Sequence, residues 1–350
     1  MKVTKSTFGC VPSGREVYKY TLSNDNTISI DIITYGGIIT SLKVPNKKSE
    51  LTDIVLGFDN LDAYLTKHPY FGALAGRHAG RIKNAEFSIE NKTYHLIKNS
   101  NGVDHIHGGA FGLDKVLWES ESFETENSAG IKLSYFSKDM EEGYPGNLNI
   151  EVKYVLNINN ELSIIYSAKT DKKTPLVLTN HTYFNLNGEE SGSDILNNKL
   201  RINADNFLAL GENSIPTGEI INVKNTPMDF LNLTAIGDRI NDDFDQLILC
   251  GGYDHPWLLN NTSKTMTAIS ESTGIKLDVI TDQAVVVCYT GNSLDNSITG
   301  KSGVKYAKNY GFCLETQGPP DAVHHPNFPN VIISPEKPFA QNTTWKFSVI

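Results

Sequence analysis

The sequence predicts an all-β protein of antiparallel sheets, and three observations carry that prediction. Apolar residues alternate with polar ones at a period of two through much of the chain. Gly, Asn and Pro break those runs at short intervals, as turn residues do. Helical periodicity is scarce, and its best stretch is the short segment Asn60 to Thr66, where Leu61, Tyr64 and Leu65 fall on one face. Many strands separated by tight turns fit a sandwich or a barrel.

The elements follow from the pattern in chain order. Ile28, Ile30 and Ile32 alternate with polar neighbours and read as a strand with one buried face. Phe87 to Leu96 reads as a hairpin turning around Glu90-Asn91-Lys92. Ile131, Leu133 and Tyr135 mark a further strand. The clearest run is Leu148, Ile150, Val152, Tyr154, Leu156 and Ile158, followed after Asn159-Asn160 by Leu162, Ile164, Tyr166 and Ala168. Two alternating runs joined by Asn-Asn predict a hairpin that buries one side. At about 150 residues per domain, 350 residues would suggest two domains, although large β-sandwiches run longer. No Pro- or Ser-rich linker, charge block or repeat divides the chain, so residues 1–350 are read as a single domain.

Composition removes several function classes. With 31 basic against 40 acidic side chains the formal net charge is −9, and no basic tract is present. Binding to a phosphate backbone needs clustered Lys and Arg, so nucleic acid is not expected as a partner. Met1 to Cys10 lacks the apolar core of a secretory signal. The longest apolar run, Ala284 to Tyr289, is far below the ~20 residues of a membrane span, so no membrane association is expected. Cys10, Cys250, Cys288 and Cys313 show no Cys-x-x-Cys spacing and read as free, mostly buried thiols of a cytoplasmic protein. In such a protein the Asn-x-Ser/Thr sites at Asn91, Asn232 and Asn342 carry no meaning.

Five segments hold the polar residues that could do chemistry. Pro69 to Arg81 spaces its glycines at 72, 76 and 80, which matches no nucleotide-binding loop. It is either a close-packed turn or a turn that aims the guanidinium of Arg77 or Arg81 into a polar cleft. In Asp104 to Gly109 the pair His105 and His107 would share one face of a strand, which raises a metal site. The positions three and four beyond His107 hold no Glu, contrary to a cupin-type metal set, and hydrogen-bonded loop histidines are the alternative. Thr179 to Leu186 sets His181 among Asn180, Thr182 and Asn185, an unusually polar run for an apolar sheet. Gly251 to Trp257 offers Asp254, which could equally cap a turn. Tyr310 to Asp321 carries Glu315 directly after Phe312-Cys313-Leu314. A carboxylate at the end of a buried strand is costly unless paired, which makes Glu315 the strongest acid–base candidate in the chain.

Taken in order, these segments resemble the aldose 1-epimerase, or galactose mutarotase, family. The matching stretches read GRHAGR at 76–81, HGG at 107–109, NHTYFNL at 180–186, DH at 254–255 and LETQGPPD at 314–321. Each is weak alone, and five in register span nearly the whole chain. The resemblance implies a large antiparallel β-supersandwich with few short helices. It also implies Glu315 as general base, His181 as general acid, and Arg81, His107 and Asp254 as the residues that hold the sugar. The chain departs from the family pattern at His78, Gly80, Pro319 and His324, which leaves the catalytic types intact and bears on the shape of the cleft.

The implied reaction interconverts the α and β anomers of free aldohexoses such as galactose and glucose by acid–base opening and closure of the ring. It calls for no cofactor and no metal, only a small-molecule aldose, and the chain is expected to act as a monomer or weak dimer. Three rivals remain at this level. A hexose-6-phosphate mutarotase would need further Arg or Lys around the cleft. A non-catalytic carbohydrate-binding protein would need no paired acid and base. A metal-dependent β-protein would use His105, His107 and Glu315.

Overall fold

The computed structural model describes residues 1–24, 28–260 and 266–350. Strands dominate, and the α-helices among the described residues are Leu61–Leu65 and Asp245–Cys250. The first is the anticipated one, capped by the Asn60 side chain accepting from the Ala63 N–H at 3.0 Å. The second is not visible in the sequence pattern. It is six residues long and ends at Gly251, whose φ of 65° is left-handed.

Three large antiparallel sheets build the body. One has five strands, in the order Lys2–Cys10, Glu16–Ser23, Ser29–Ile33, Ile39–Pro45 and Leu51–Asp53. The nine-stranded sheet begins with Glu119–Glu124, Ser128–Ser137, Leu148–Asn157, Glu161–Thr170 and Phe339–Val349. It continues through Ile275–Thr281, Met266–Ile269, Lys199–Ile202 and Thr234–Ala235. The third sheet orders Pro216–Asn222, Asn206–Leu210, Asp254–Leu258, Val285–Tyr289 and Cys313–Gln317.

The central hairpin shows why the sequence folds this way. Leu148 pairs with Thr170 and Leu156 with Leu162, the register that keeps every apolar member of both runs on one face. Leu148, Ile150, Val152, Tyr154, Leu156, Leu162, Ile164, Tyr166 and Ala168 are all buried. Each large side chain among them contributes roughly 1.5–3 kcal/mol by leaving water. The reversal is set by Asn160, whose φ of 61° lies where Asn is among the few tolerant side chains. Ile158 is exposed, because the alternation ends with the strand at Asn157 and Ile158 already belongs to the turn.

The strands over Ser29–Ile33 and Ser128–Ser137 and the Glu86–Ile89/Lys92–His95 hairpin also lie where the pattern puts them. One cluster of buried side chains runs from Tyr20 to Phe347 and draws on all three large sheets. The four cysteines are free, as expected. Only Cys288 and Cys313 are buried, whereas Cys10 is exposed and Cys250 half-buried, so the expectation of mostly buried thiols holds for two of them. No helix among the described residues is long and apolar enough to cross a membrane.

Candidate active site

The third sheet supplies half of the site through the period of two. Pro256, Val287 and Glu315 form one cross-strand row, and Asp254, Tyr289 and Cys313 form another two residues away. Both rows therefore point to the same face. That face lines a cleft of about 400 Å³, to which Asp254, Pro256, Val287, Tyr289 and Glu315 contribute.

Short pairings on the opposite side bring in the rest. Arg81 pairs with Ile106 in a two-stranded ribbon, which sets His107 at the next position. His107 leaves the ribbon with a φ of 50°, and Gly108 follows in the same left-handed region. A Cβ on Gly108 would lie 1.7 Å from the Gly76 carbonyl oxygen, so the backbone crossing there demands glycine. His181 is fixed by its N–H donating to the Ala73 carbonyl at 2.8 Å, while its own carbonyl accepts from Gly72 N–H at 3.0 Å.

All five residues singled out from the sequence meet at this cleft. His181 Nε2 lies 3.5 Å from Glu315 Oε1, with both side chains buried. Arg81 Nη1 lies 3.8 Å from Asp254 Oδ2, and the His107 and His181 rings sit edge to face at 5.2 Å. Two candidates fall away. Arg77 is buried and spends its guanidinium on Ser137 and on the carbonyls of Lys138, Pro145 and Gly146. His105 does not share a face with His107, because the strand stops at Ile106. Its Nε2 meets the buried Tyr144 hydroxyl at 2.6 Å and its Nδ1 the Ile97 carbonyl at 2.8 Å, away from the cleft.

Burial pushes the Glu315 carboxyl well up, with Asp254 adding to the rise and Arg81 opposing it. Burial lowers His181 to about 4. Burial therefore favours the neutral pair over the ion pair, with the shared proton on the Glu315 side. Asp254 rises to about 6 by burial, against the pull of Arg81.

The donor set tests the metal reading. Ligand atoms of His107, His181 and Glu315 lie within 4.8 Å of one another, which is close enough to surround an ion. His107 Nδ1, however, accepts the Gly80 N–H at 3.2 Å. A metal-bound histidine donates its other N–H to an acceptor, and here that nitrogen faces a donor instead. Burial and the neighbouring His181 and Arg81 keep His107 neutral, so Nε2 carries the hydrogen. His107 is thus built to donate to an oxygen, and the trio does not fit a metal.

Sequence reasoning missed several members of the cleft wall. Tyr70 stacks near His181, with 5.8 Å between centroids, and Tyr183 does so at 5.0 Å, and both lie within segments already marked. Tyr289, Asn292 and Ser293 lie outside those segments; cross-strand register with Asp254 brings in Tyr289, and the turn after its strand brings in the other two, with the Ser293 N–H donating to the Tyr289 hydroxyl at 3.0 Å.

The family model for aldose 1-epimerase matches residues 18–346. The chain belongs to the aldose 1-epimerase family. It is 41% identical over 353 residues to the galactose mutarotase of Bos taurus, covering 100% of this chain and 99% of that one. It is 37% identical over 324 residues to the aldose 1-epimerase of Haemophilus influenzae, covering 91% and 92% of the two chains. The solved galactose 1-epimerase of Lactobacillus acidophilus superposes with a TM-score of 0.89 at 27% identity, over 100% of this chain and 99% of that one. The all-β, mutarotase-like architecture expected of such a member is the one observed.

Proposed function

We propose that the protein is an aldose 1-epimerase that interconverts the anomers of free aldohexoses, galactose and glucose among them, with Glu315 and His181 as its acid–base pair. The carrying observation is the buried Glu315–His181 contact of 3.5 Å at the wall of a sugar-sized cleft. Mutarotation needs one proton removed from the C1 hydroxyl and one delivered to the ring oxygen of the same carbon. Two groups that converge on one small centre meet that requirement.

The steps balance without a cofactor. On binding, the C1 hydroxyl donates to Glu315 and the ring oxygen comes to His181 Nε2, to accept from it once that nitrogen is protonated. Each hydrogen bond favours the charged form of its partner, so the shared proton moves from Glu315 to His181. Glu315 then takes the hydroxyl proton, and the C1–ring-oxygen bond breaks with its electrons going to the ring oxygen. That oxygen takes the proton from His181, and C1 becomes an aldehyde. Rotation about C1–C2 turns the other face of the carbonyl, and the reverse transfers close the ring as the other anomer. Arg81 and His107 donate to sugar oxygens and Asp254 accepts from hydroxyls.

Charge favours unphosphorylated sugars. Among the described residues that line the cleft, Arg81 is the one Lys or Arg, and Asp254 stands 3.8 Å from it. A phosphate would want a second cation. The buried acid–base contact likewise weighs against a pure binding role. We read the chain as a single domain that acts as a monomer or weak dimer. Four free thiols suit the reducing cytoplasm. Polarimetry of freshly dissolved α-D-galactose, α-D-glucose and α-D-glucose 6-phosphate tests the reading. Acceleration of the first two with little of the third is expected. A preference for the phosphate, or binding without acceleration, would overturn it.

A further inference from the structure

We propose that Tyr183 is a further specificity-determining residue, whose hydroxyl donates a hydrogen bond to the sugar hydroxyl on C2, beside the reacting carbon. The inference rests on the cleft as the site of mutarotation, with Glu315 and His181 at C1. Tyr183 lines that cleft together with both of them. Its ring lies near-parallel to the His181 imidazole, at an interplanar angle of 20° and 5.0 Å between centroids. Phe71 at 4.9 Å and Tyr289 at 5.9 Å meet the ring edge to face, so three neighbours hold its orientation.

The hydroxyl carries the argument. Tyr183 is 2% exposed, yet its hydroxyl makes no hydrogen bond to the described residues and is not sealed off from the cleft. The other tyrosines of the wall are served differently. The Tyr289 hydroxyl accepts the Ser293 N–H at 3.0 Å and meets Ser293 Oγ at 2.7 Å. Tyr70 is only half-buried, where water can reach it. A buried hydroxyl left without a partner is destabilising, and its place in a cleft wall calls for an oxygen on the ligand.

Which oxygen follows from what surrounds the phenol. Burial keeps it protonated, with Cys313, Tyr289, Glu315 and Asp254 acting the same way. It is therefore a hydrogen-bond donor and takes no part in the proton transfers. Both carboxyls of the cleft act on it, which sets the hydroxyl on the Glu315 side of the imidazole. Glu315 attends the C1 hydroxyl and His181 the ring oxygen. The C2 hydroxyl is then the nearest sugar oxygen left on that side. A site built to bond one hydroxyl discriminates against the sugar that lacks it.

The test uses Tyr183→Phe in the full-length protein with D-glucose, 2-deoxy-D-glucose and 6-deoxy-D-glucose. Rates are read by polarimetry after subtraction of the spontaneous reaction of each sugar. Phe keeps the ring and its packing, so the melting temperature should match wild type. With D-glucose, kcat/KM should fall about three- to tenfold, the range for one hydrogen bond between neutral groups. With 2-deoxy-D-glucose the substitution should cost less than about twofold, because the partner is already gone, while 6-deoxy-D-glucose should respond as glucose does. Equal losses with all three sugars would overturn the proposal, since the hydroxyl would then act through Glu315 or His181. An unchanged rate with glucose would overturn it as well, and so would a lowered melting temperature, which would reveal a partner within the protein. These failures leave wild-type mutarotation intact and strike the inference alone. A wild type that accelerates none of the sugars would overturn the proposed function and this inference with it.

Discussion

Replacement of Glu315 by Gln separates catalysis from folding. Gln keeps the shape of the side chain and cannot take a proton from the C1 hydroxyl. Removing a positioned general base typically lowers a rate by ~10²–10⁴-fold, about 2.7–5.4 kcal/mol of barrier. The fold should not suffer, for a reason specific to this site. Burial raises Glu315 above its ordinary range, so the resting side chain is already a neutral acid. A neutral amide therefore replaces a neutral acid, and the burial of charge does not enter. The sign with pH follows from the same shift. A carboxyl with a raised folded pKa stabilises most below its unfolded value of about 4.3, and that stability is lost as pH rises through the folded value. Gln has no such loss. Its melting temperature relative to wild type should therefore rise as pH increases above about 4.3, measured by calorimetry. Polarimetry with α-D-galactose gives the catalytic half of the test. A variant within tenfold of wild-type kcat/KM would refute Glu315 as the base, and a difference in melting temperature that falls with pH would refute its neutral resting state.

Other perturbations follow from the same geometry. The log kcat/KM profile should fall in two stages toward acid pH, modestly through about 6 as Asp254 protonates and steeply through about 4 as His181 charges while Glu315 still holds its proton. Asp254→Asn should remove the first stage, and a flat profile across that range would contradict the assignment. His78 is fully buried, and burial lowers it to about 3. The unfolded chain then binds the extra proton between about pH 6.5 and 3, so stability falls with falling pH by roughly 1.4 kcal/mol per unit for this group. Urea unfolding of His78→Gln at pH 7 and 5 should show a shallower dependence than wild type, and an equal slope would show that His78 is not held neutral. Gly80 has a φ of 75°, and a Cβ there would lie 2.8 Å from Pro320 Cβ. Gly80→Ala should cost about 1–3 kcal/mol in denaturant titrations and raise KM, since Gly80 and Pro320 both line the cleft. Unchanged stability and KM would mean that this wall yields.

Local chemistry explains how much was legible from residues alone. The alternation from Leu148 to Ala168 writes out strand, face and turn together, because a period of two is a property of neighbours along the chain. Asn60 announces its helix for the same reason, since a cap acts within one turn. Glu315 stands out because a carboxylate behind three apolar residues has to be explained. Each of these needs only a few consecutive residues.

Tertiary structure decided what depends on distant segments. The second helix, Asp245–Cys250, lies in a stretch with no clear periodicity and is held by what packs around it. His105 and His107 are indistinguishable by spacing, and only the end of the ribbon at Ile106 sends one to the core and the other to the cleft. Arg77 and Arg81 divide in the same way, one spent on backbone carbonyls and the other facing Asp254. The shared proton on the Glu315 side follows from burial. The sequence by itself determined an all-β chain and the five side chains that the family resemblance marks. Their meeting at one cleft and the neutral state of the acid–base pair were decided by the fold, because desolvation and hydrogen-bond partners act through space.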